Sequence, residues 1–398
     1  MNEQQPIFTP EQFRAQAVEL SQAVAELQRR DSVRIDPHDP FSNETEFHSY
    51  QPDYAEIVPQ IRIPGCSIPL RANDREKGRI RRYYNIVGGF LLGHLLLSNL
   101  IFIGLEMLAL FLIRLTDQAA VAELPVNYDD IATEYFTNSS CLVAMNLLVF
   151  GLLNVLVFWL GCRATKITIP NLFRTKNFTV LHALGYISVI ILIQFSMGYA
   201  ATFISDLFEG VGITLYEPDI SPLPEVKNTV VSAIYSILIA PVTEELLMRG
   251  FVLKNLSRVS QRFGIVMSAF LFGIWHENVA QFLLAFTGGL LFGYIAVKHD
   301  SLVPSIICHM IVNSAAELSM MFEDYGLEIG TYVVNIIYAV FMLVGIGVLI
   351  RMLIVERFPR ATPHQSERGL RQVFASPLLL LVIIGHITAI VLTCVFSD

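Results

Sequence analysis

Apolar runs alternate with charged loops along most of this chain, and a run of about 20 apolar residues is long enough to cross a bilayer as a helix. From Asn85 onward the runs are Ile86 to Ile113, Leu142 to Leu160, Val180 to Ile204, Val230 to Leu247, Ile265 to Trp275, Val279 to Val297, Leu302 to Leu318, Tyr332 to Ile350 and Leu378 to Phe396. Hydrophobic residues make up 54% of the 398 and charged ones only 16%, against about 25% charged in an average soluble domain. The expectation is an all-α, polytopic membrane helical bundle with about 8–9 transmembrane elements. Ile265 to Trp275 is short for a full crossing and is expected to turn back near Glu277-Asn278.

Residues 1–83 are of a different composition: polar, proline-containing and without a long apolar run, so they are not expected to be a signal peptide. They read as a cytosolic segment, with an amphipathic helix from Pro10 to Arg30 on the spacing of Phe13, Ala17, Leu20, Val24 and Leu27. Residues 84–398 form the transmembrane domain. Loop charge orients it, because cytoplasmic loops retain Lys and Arg. Arg75, Lys77, Arg79, Arg81 and Arg82 precede the first run, and further basic clusters follow the second, fourth and eighth. The intervening loops are acidic, as in Asp117 to Glu134 and Glu209 to Glu225. This predicts a cytoplasmic amino terminus. The net charge of −8 argues against nucleic acid as a partner.

Charged side chains in hydrocarbon cost a few kcal/mol or more each, so polar groups inside apolar runs mark sites. Three sets stand out: Glu244-Glu245 with Arg249, Phe272 with His276, and His309 with Asn313. At about 1.5 Å per helical residue, Glu244, His276, His309 and Asn313 all fall roughly 12–20 Å from the cytoplasmic ends of their segments. Three polar groups at one depth imply one site, open to the cytosolic side. Glu245 and Arg249 are i and i+4, so the arginine can neutralise that carboxylate. Glu244 points about 100° away, free to act as a base. A carboxylate and an imidazole that hold water, facing the His309 and Asn313 donors, form a hydrolase arrangement suited to amide bonds.

Glu244-Glu245-x-x-x-Arg249, Phe272-x-x-x-His276 and His309-x-x-x-Asn313, in that order, resemble the three motifs of the CPBP family, the CAAX proteases and bacteriocin-processing enzymes related to type II CAAX prenyl endopeptidases. Arg249-Gly250-Phe251 and Ser301-Leu302-Val303-Pro304-Ser305 add context, and the CPBP-like core spans about 228–318. The resemblance implies an intramembrane endopeptidase acting on a peptide or protein, with prenylated CAAX-type and bacteriocin-like peptides as candidate substrates, among membrane lipids. It implies Glu244 as general base, His276 as its aid in holding water, His309 and Asn313 as oxyanion donors, and Glu245 and Arg249 in support.

No cofactor is expected. Zinc held by His276, His309 and Glu244 is the alternative, although no HExxH is present, since His276-Glu277 is followed by Asn278, Val279 and Ala280. The rival functions are a non-catalytic immunity or partner-binding protein of the same fold, and a transporter. A transporter would be expected to carry internal repeats, and none is seen between the halves. His94, His182 and His386 read as packed, hydrogen-bonded histidines, Cys308 as core, and Gly289 with Gly293, like Gly88-Gly89, as close helix contacts. The five scattered cysteines form neither a disulfide framework nor a thiolate metal site. Glu106 receives no role.

Overall fold

In the computed structural model, residues 72–116, 146–210, 233–356 and 363–396 are described, together with the single positions 212 and 215. Among them the architecture is all-helical, with no strand. The elements in chain order are α1 (Ala72–Thr116), α2 (Asn154–Thr165, entered through a π-helical turn at Leu147–Leu153) and α3 (Val180–Glu209). Next come α4 (residues 233–256), α5 (Gln261–Ile274), α6 (Val279–Lys298) and α7 (Val303–Asp324). The chain then forms α8 (Glu328–Arg351), α9 (Pro363–Phe374) and α10 (Pro377–Phe396).

Among the described residues, helices lie in each of the nine expected apolar runs, and five of these helices are long and apolar enough to cross a membrane as single spans: Gly78–Leu105, Val180–Glu209, Val279–Lys298, Val303–Glu323 and Glu328–Val355. Val149–Thr165, Gln261–Ile274 and Pro377–Leu392 are shorter apolar helices. Large apolar side chains such as Leu96, Leu100, Ile329, Tyr332 and Leu343 are exposed. A surface of that kind is unfavourable in water and fits an integral membrane protein. The expected helix at Pro10 to Arg30 and the acidic loop at Asp117 to Glu134 lie outside the described residues. So does most of the Glu209 to Glu225 loop, and the Glu106 side chain is likewise not described.

Two boundaries differ from the sequence reading. Helix α1 begins at Ala72, twelve residues before the expected domain start, because Arg, Lys and Glu favour helix and carry it beyond the apolar run. Helix α9 was not anticipated. It is amphipathic but too polar overall to register as an apolar run, and it packs on α1, α5 and α10.

Two large apolar clusters divide the bundle, with a small third of Leu253, Ile265 and Ala296. One joins α1, α2, α4, α5 and α10 through residues such as Tyr84, Val157, Phe251, Met267 and Leu379. The other joins α3, α6, α7 and α8 through Ile190, Ile295, Cys308 and Tyr338. Helices α5 and α6 are an antiparallel hairpin. The Ser260 hydroxyl accepts the Phe263 N–H at 3.1 Å to start α5, and Asn278 Oδ1 accepts the Gln281 N–H at 2.8 Å to start α6. The chain reverses between them at Glu277, in the left-handed region with φ 55°. Gly289 and Gly293 permit the close approach: a Cβ at Gly289 would meet Ala269 at 3.1 Å, and one at Gly293 would meet Ile265 at 3.2 Å. Half of the spanning window of α6 is buried, against 17% of that of α8. Helix α6 is therefore central and α8 peripheral.

Candidate active site

Helix α4 carries the paired glutamates and is not a regular α-helix. π-helical turns at Tyr235–Ile239 and Leu246–Leu253 flank the short α-helical segment Ala240–Glu245. Such turns are rare and concentrate at functional sites. Pro241 accounts for the first of them, because its ring would clash with the carbonyl four residues back and it has no N–H to donate. The Ala240 N–H therefore bonds to the Tyr235 carbonyl, five residues back. The next carbonyl, that of Ser236, would need the N–H of Pro241, which does not exist. Asn313 from α7 supplies the replacement, its Nδ2 donating to the Ser236 oxygen at 2.8 Å.

The expected pair between Glu245 and Arg249 is present, with Arg249 Nη1 2.9 Å from Glu245 Oε1 and both side chains wholly buried. The contact is an ion pair without hydrogen-bond alignment, and Glu245 Oε2 and Arg249 Nε have no hydrogen-bond partner among the described residues. Arg249 Nη2 donates to the Gly289 carbonyl on α6 at 3.3 Å. Its guanidinium lies over the Phe272 ring at 4.6 Å and the Phe292 ring at 5.5 Å. Aromatic faces attract a desolvated cation, which helps to hold the arginine inside the bundle.

His309 stands between the two glutamates. Its Nδ1 is 3.2 Å from Glu245 Oε1, and its Nε2 is 3.8 Å from Glu244 Oε2. The ring stacks on Phe292, with centroids 4.7 Å apart, and meets the edge of Phe272 at 6.1 Å. Glu244 is one-fifth exposed whereas Glu245 is not exposed at all. Adjacent carboxylates on one helix therefore occupy different environments.

His276 is not on a helix, contrary to the sequence reading. Helix α5 ends at Ile274, and the His276 N–H bonds to the Gly273 carbonyl in the turn that follows. Its ring meets Phe272 at 5.2 Å in a T-shaped contact. Phe272 thus touches Arg249, His276 and His309 together. Asn313 is on α7 as expected, one turn beyond His309, but one of its amide hydrogens is committed to Ser236.

Spacing did not reveal the pairing of His309 with both glutamates, nor the contacts of Ser236 and Phe292. Glu317 was also missed, although it was legible as the next i+4 step after His309 and Asn313. It is buried and accepts the Ser236 hydroxyl at 2.9 Å.

His94, His182 and His386 are hydrogen-bonded, as expected. His94 Nε2 lies 2.8 Å from Asn154 Oδ1, and Asn154 Nδ2 donates to Thr243 Oγ1 at 3.4 Å. His386 Nδ1 lies 2.8 Å from Glu277 Oε1, and Trp275 contacts both the His94 and the His386 rings. His182 bonds Thr179. Cys308 is buried and free. Both ring nitrogens of His309 already face carboxylates, and among the described residues no group of three or more His, Cys, Asp or Glu side chains could hold a metal ion.

Residues 226–315, less than a quarter of the chain, match the family described as type II CAAX prenyl endopeptidase Rce1-like. Neither the curated proteins nor the solved structures contain a match to the chain. The family implies a protease with a peptide or protein substrate. The matched segment holds Glu244, Glu245, Arg249, Phe272, His276, His309 and Asn313, and over these residues the chain is similar to the type II CAAX prenyl endopeptidases.

Proposed function

We propose that this chain is an intramembrane endopeptidase in which Glu244 activates water for attack on a peptide bond. The observation that carries the reading is the position of His309, bracketed by Glu244 at 3.8 Å and Glu245 at 3.2 Å, while Arg249 forms its ion pair with Glu245. A hydrogen bond from His309 Nδ1–H to Glu245 leaves Nε2 with a lone pair directed toward Glu244, the orienting logic of carboxylate-held catalytic histidines. The 3.8 Å separation exceeds a direct hydrogen bond and suits a water bridging the two groups.

Glu244 removes a proton from that water, and the resulting hydroxide attacks the scissile carbonyl carbon. The second amide hydrogen of Asn313, not used on Ser236, and His276 are the candidate donors to the oxyanion; His276 and His309 thus exchange the roles that the resemblance implies, because it is His309 that lies beside Glu244. His309 keeps the water in line. Glu244 then delivers its proton to the departing amine, so the proton balance closes without another group. The step is metal-independent. The proposed step draws on Glu244 as the base and on His309, whose Nδ1 is held by Glu245 at 3.2 Å, to hold the water.

The proposed substrate is a prenylated CAAX-type peptide that reaches the site from the bilayer, with a bacteriocin-like peptide as the alternative. The proposed topology has a cytoplasmic amino terminus and a site facing the cytosol, on the strength of the basic residues at Arg79, Arg81 and Arg82. The test is cleavage of a fluorogenic farnesylated CAAX peptide by the purified protein in liposomes. Cleavage by wild type and its loss in Glu244→Gln is expected. A wild-type protein that binds the peptide without cutting it would favour the non-catalytic, partner-binding reading.

A further inference from the structure

Glu317 is a carboxylate in a membrane-spanning segment that the proposed chemistry does not use. It lies within the candidate span Val303–Glu323 and is buried. It continues the line of His309 and Asn313 along one face of α7, at i, i+4 and i+8, about 6 Å beyond Asn313. An acid at such a position costs several kcal/mol relative to an apolar side chain, so it persists where it does something an apolar residue cannot. Among the described residues its hydrogen bond is with the Ser236 hydroxyl, at 2.9 Å.

The carbonyl and the hydroxyl of Ser236 both meet α7, the hydroxyl lying closer to Glu317, at 2.9 Å, than to the Ala233 carbonyl of its own helix, at 3.3 Å. Its carbonyl, left without an N–H by Pro241, takes the Asn313 amide at 2.8 Å, and its hydroxyl is given to Glu317. Two residues one turn apart on α7 thus grip a single residue in the π-helical turn of α4. Ser236 and Glu244 lie on the same rod, eight residues apart, just as Glu317 and His309 lie eight apart on α7. A register fixed at one end of this antiparallel contact is transmitted along both helices to the other.

We propose that Glu317 is a positioning residue: with Asn313 it locks the widened turn of α4 against α7 and thereby sets the distance between Glu244 and His309. The lock also spends one Asn313 hydrogen on Ser236, so that the other has a defined direction. The kinetic half of this proposal rests on the peptidase reading above; the structural half does not. The bonding needs an acceptor at 317 and a hydroxyl at 236, but it does not need the negative charge.

The test uses the full-length protein in detergent micelles and in liposomes, with Glu317→Leu, Glu317→Gln, Ser236→Ala and the Ser236→Ala/Glu317→Leu double variant. Three quantities are read: the nitrogen-15 resonance of the His309 ring, assigned by its loss in His309→Gln; kcat and KM on a farnesylated CAAX peptide probe; and Tm. Replacing a buried acid by leucine should hold or raise Tm. Glu317→Leu is expected to move the His309 resonance and to lower kcat about tenfold with KM within twofold, the signature of misplaced reacting groups. Glu317→Gln should keep the wild-type resonance and most of the turnover. Ser236→Ala should reproduce Glu317→Leu, and the double variant should add nothing further.

An unchanged His309 resonance in Glu317→Leu overturns the proposal. So does a fall in kcat that follows a fall in Tm and that Glu317→Gln does not restore. If wild type leaves the probe intact, the peptidase reading fails, and the His309 resonance alone still decides the role of Glu317.

Discussion

Arg249 Nη1 and Glu245 Oε1 are 2.9 Å apart with neither side chain exposed, so the ion pair beside the proposed catalytic glutamate is sealed from solvent. A buried pair contributes little net stability, but breaking one side of it leaves an uncompensated charge and costs ~3–5 kcal/mol. The adjacent Glu244 carries no such obligation.

Glu245→Gln should therefore lower Tm and expression together with activity. Glu244→Gln should leave Tm near wild type while abolishing cleavage of the farnesylated peptide, since it removes the base but keeps size and hydrogen bonding. Thermal unfolding of the two purified variants separates them. A stable but inactive Glu245→Gln with an active Glu244→Gln would reverse the roles.

Removing both charges gives a second expectation. Glu245→Leu combined with Arg249→Met should recover much of the stability lost in either single variant, because no unpaired charge remains. Turnover should stay low, since His309 Nδ1 would lose its acceptor. Equal Tm losses in the single and double variants would show that the pair is not energetically coupled.

Gly289 admits almost nothing larger. An added Cβ would come within 3.1 Å of the Ala269 backbone and 3.2 Å of Arg249 Nη2, which also bonds the Gly289 carbonyl. Gly289→Ala is expected to cost ~1–3 kcal/mol through overpacking and to reduce turnover by displacing the guanidinium. Gly93→Ala, where a Cβ meets nothing within 4 Å, is the control and should be near neutral in both Tm and rate.

The turn that carries His276 is braced by the last helix. His386 Nδ1 sits 2.8 Å from Glu277 Oε1, and Trp275 lies between the His94 and His386 rings. His386→Leu removes one partner of this bond at a cost of about 1 kcal/mol. It should raise amide exchange in residues 275–278, measured by mass spectrometry, before it affects the rest of the bundle.

Chelation tests the absence of a metal from the mechanism. Incubation with a strong zinc chelator should leave the turnover of the purified protein nearly intact under the proposed mechanism, in which Glu244 activates the water without a Lewis acid. Stoichiometric bound zinc whose removal abolishes cleavage would require another account of His309.

The sequence by itself determined the all-helical membrane character, the positions of the apolar elements, the hairpin reversal near Glu277-Asn278 and the Glu245–Arg249 pair. Each follows from run length, turn residues or i/i+4 spacing, which are local properties of one chain segment. The three motifs likewise marked the segment that the family match covers. Tertiary structure decided that His309 inserts between Glu244 and Glu245, that His276 leaves the helix, and that Asn313 repairs the carbonyl orphaned by Pro241. It also revealed that Ser236 and Glu317 are partners. These partners lie 64 to 81 residues apart in sequence, on helices whose rotation and register are set by packing, including the glycine contacts of α5 with α6 and the widened turns of α4. Helical spacing tells which side chains share a face of one helix; only the packed bundle selects the group that each face meets.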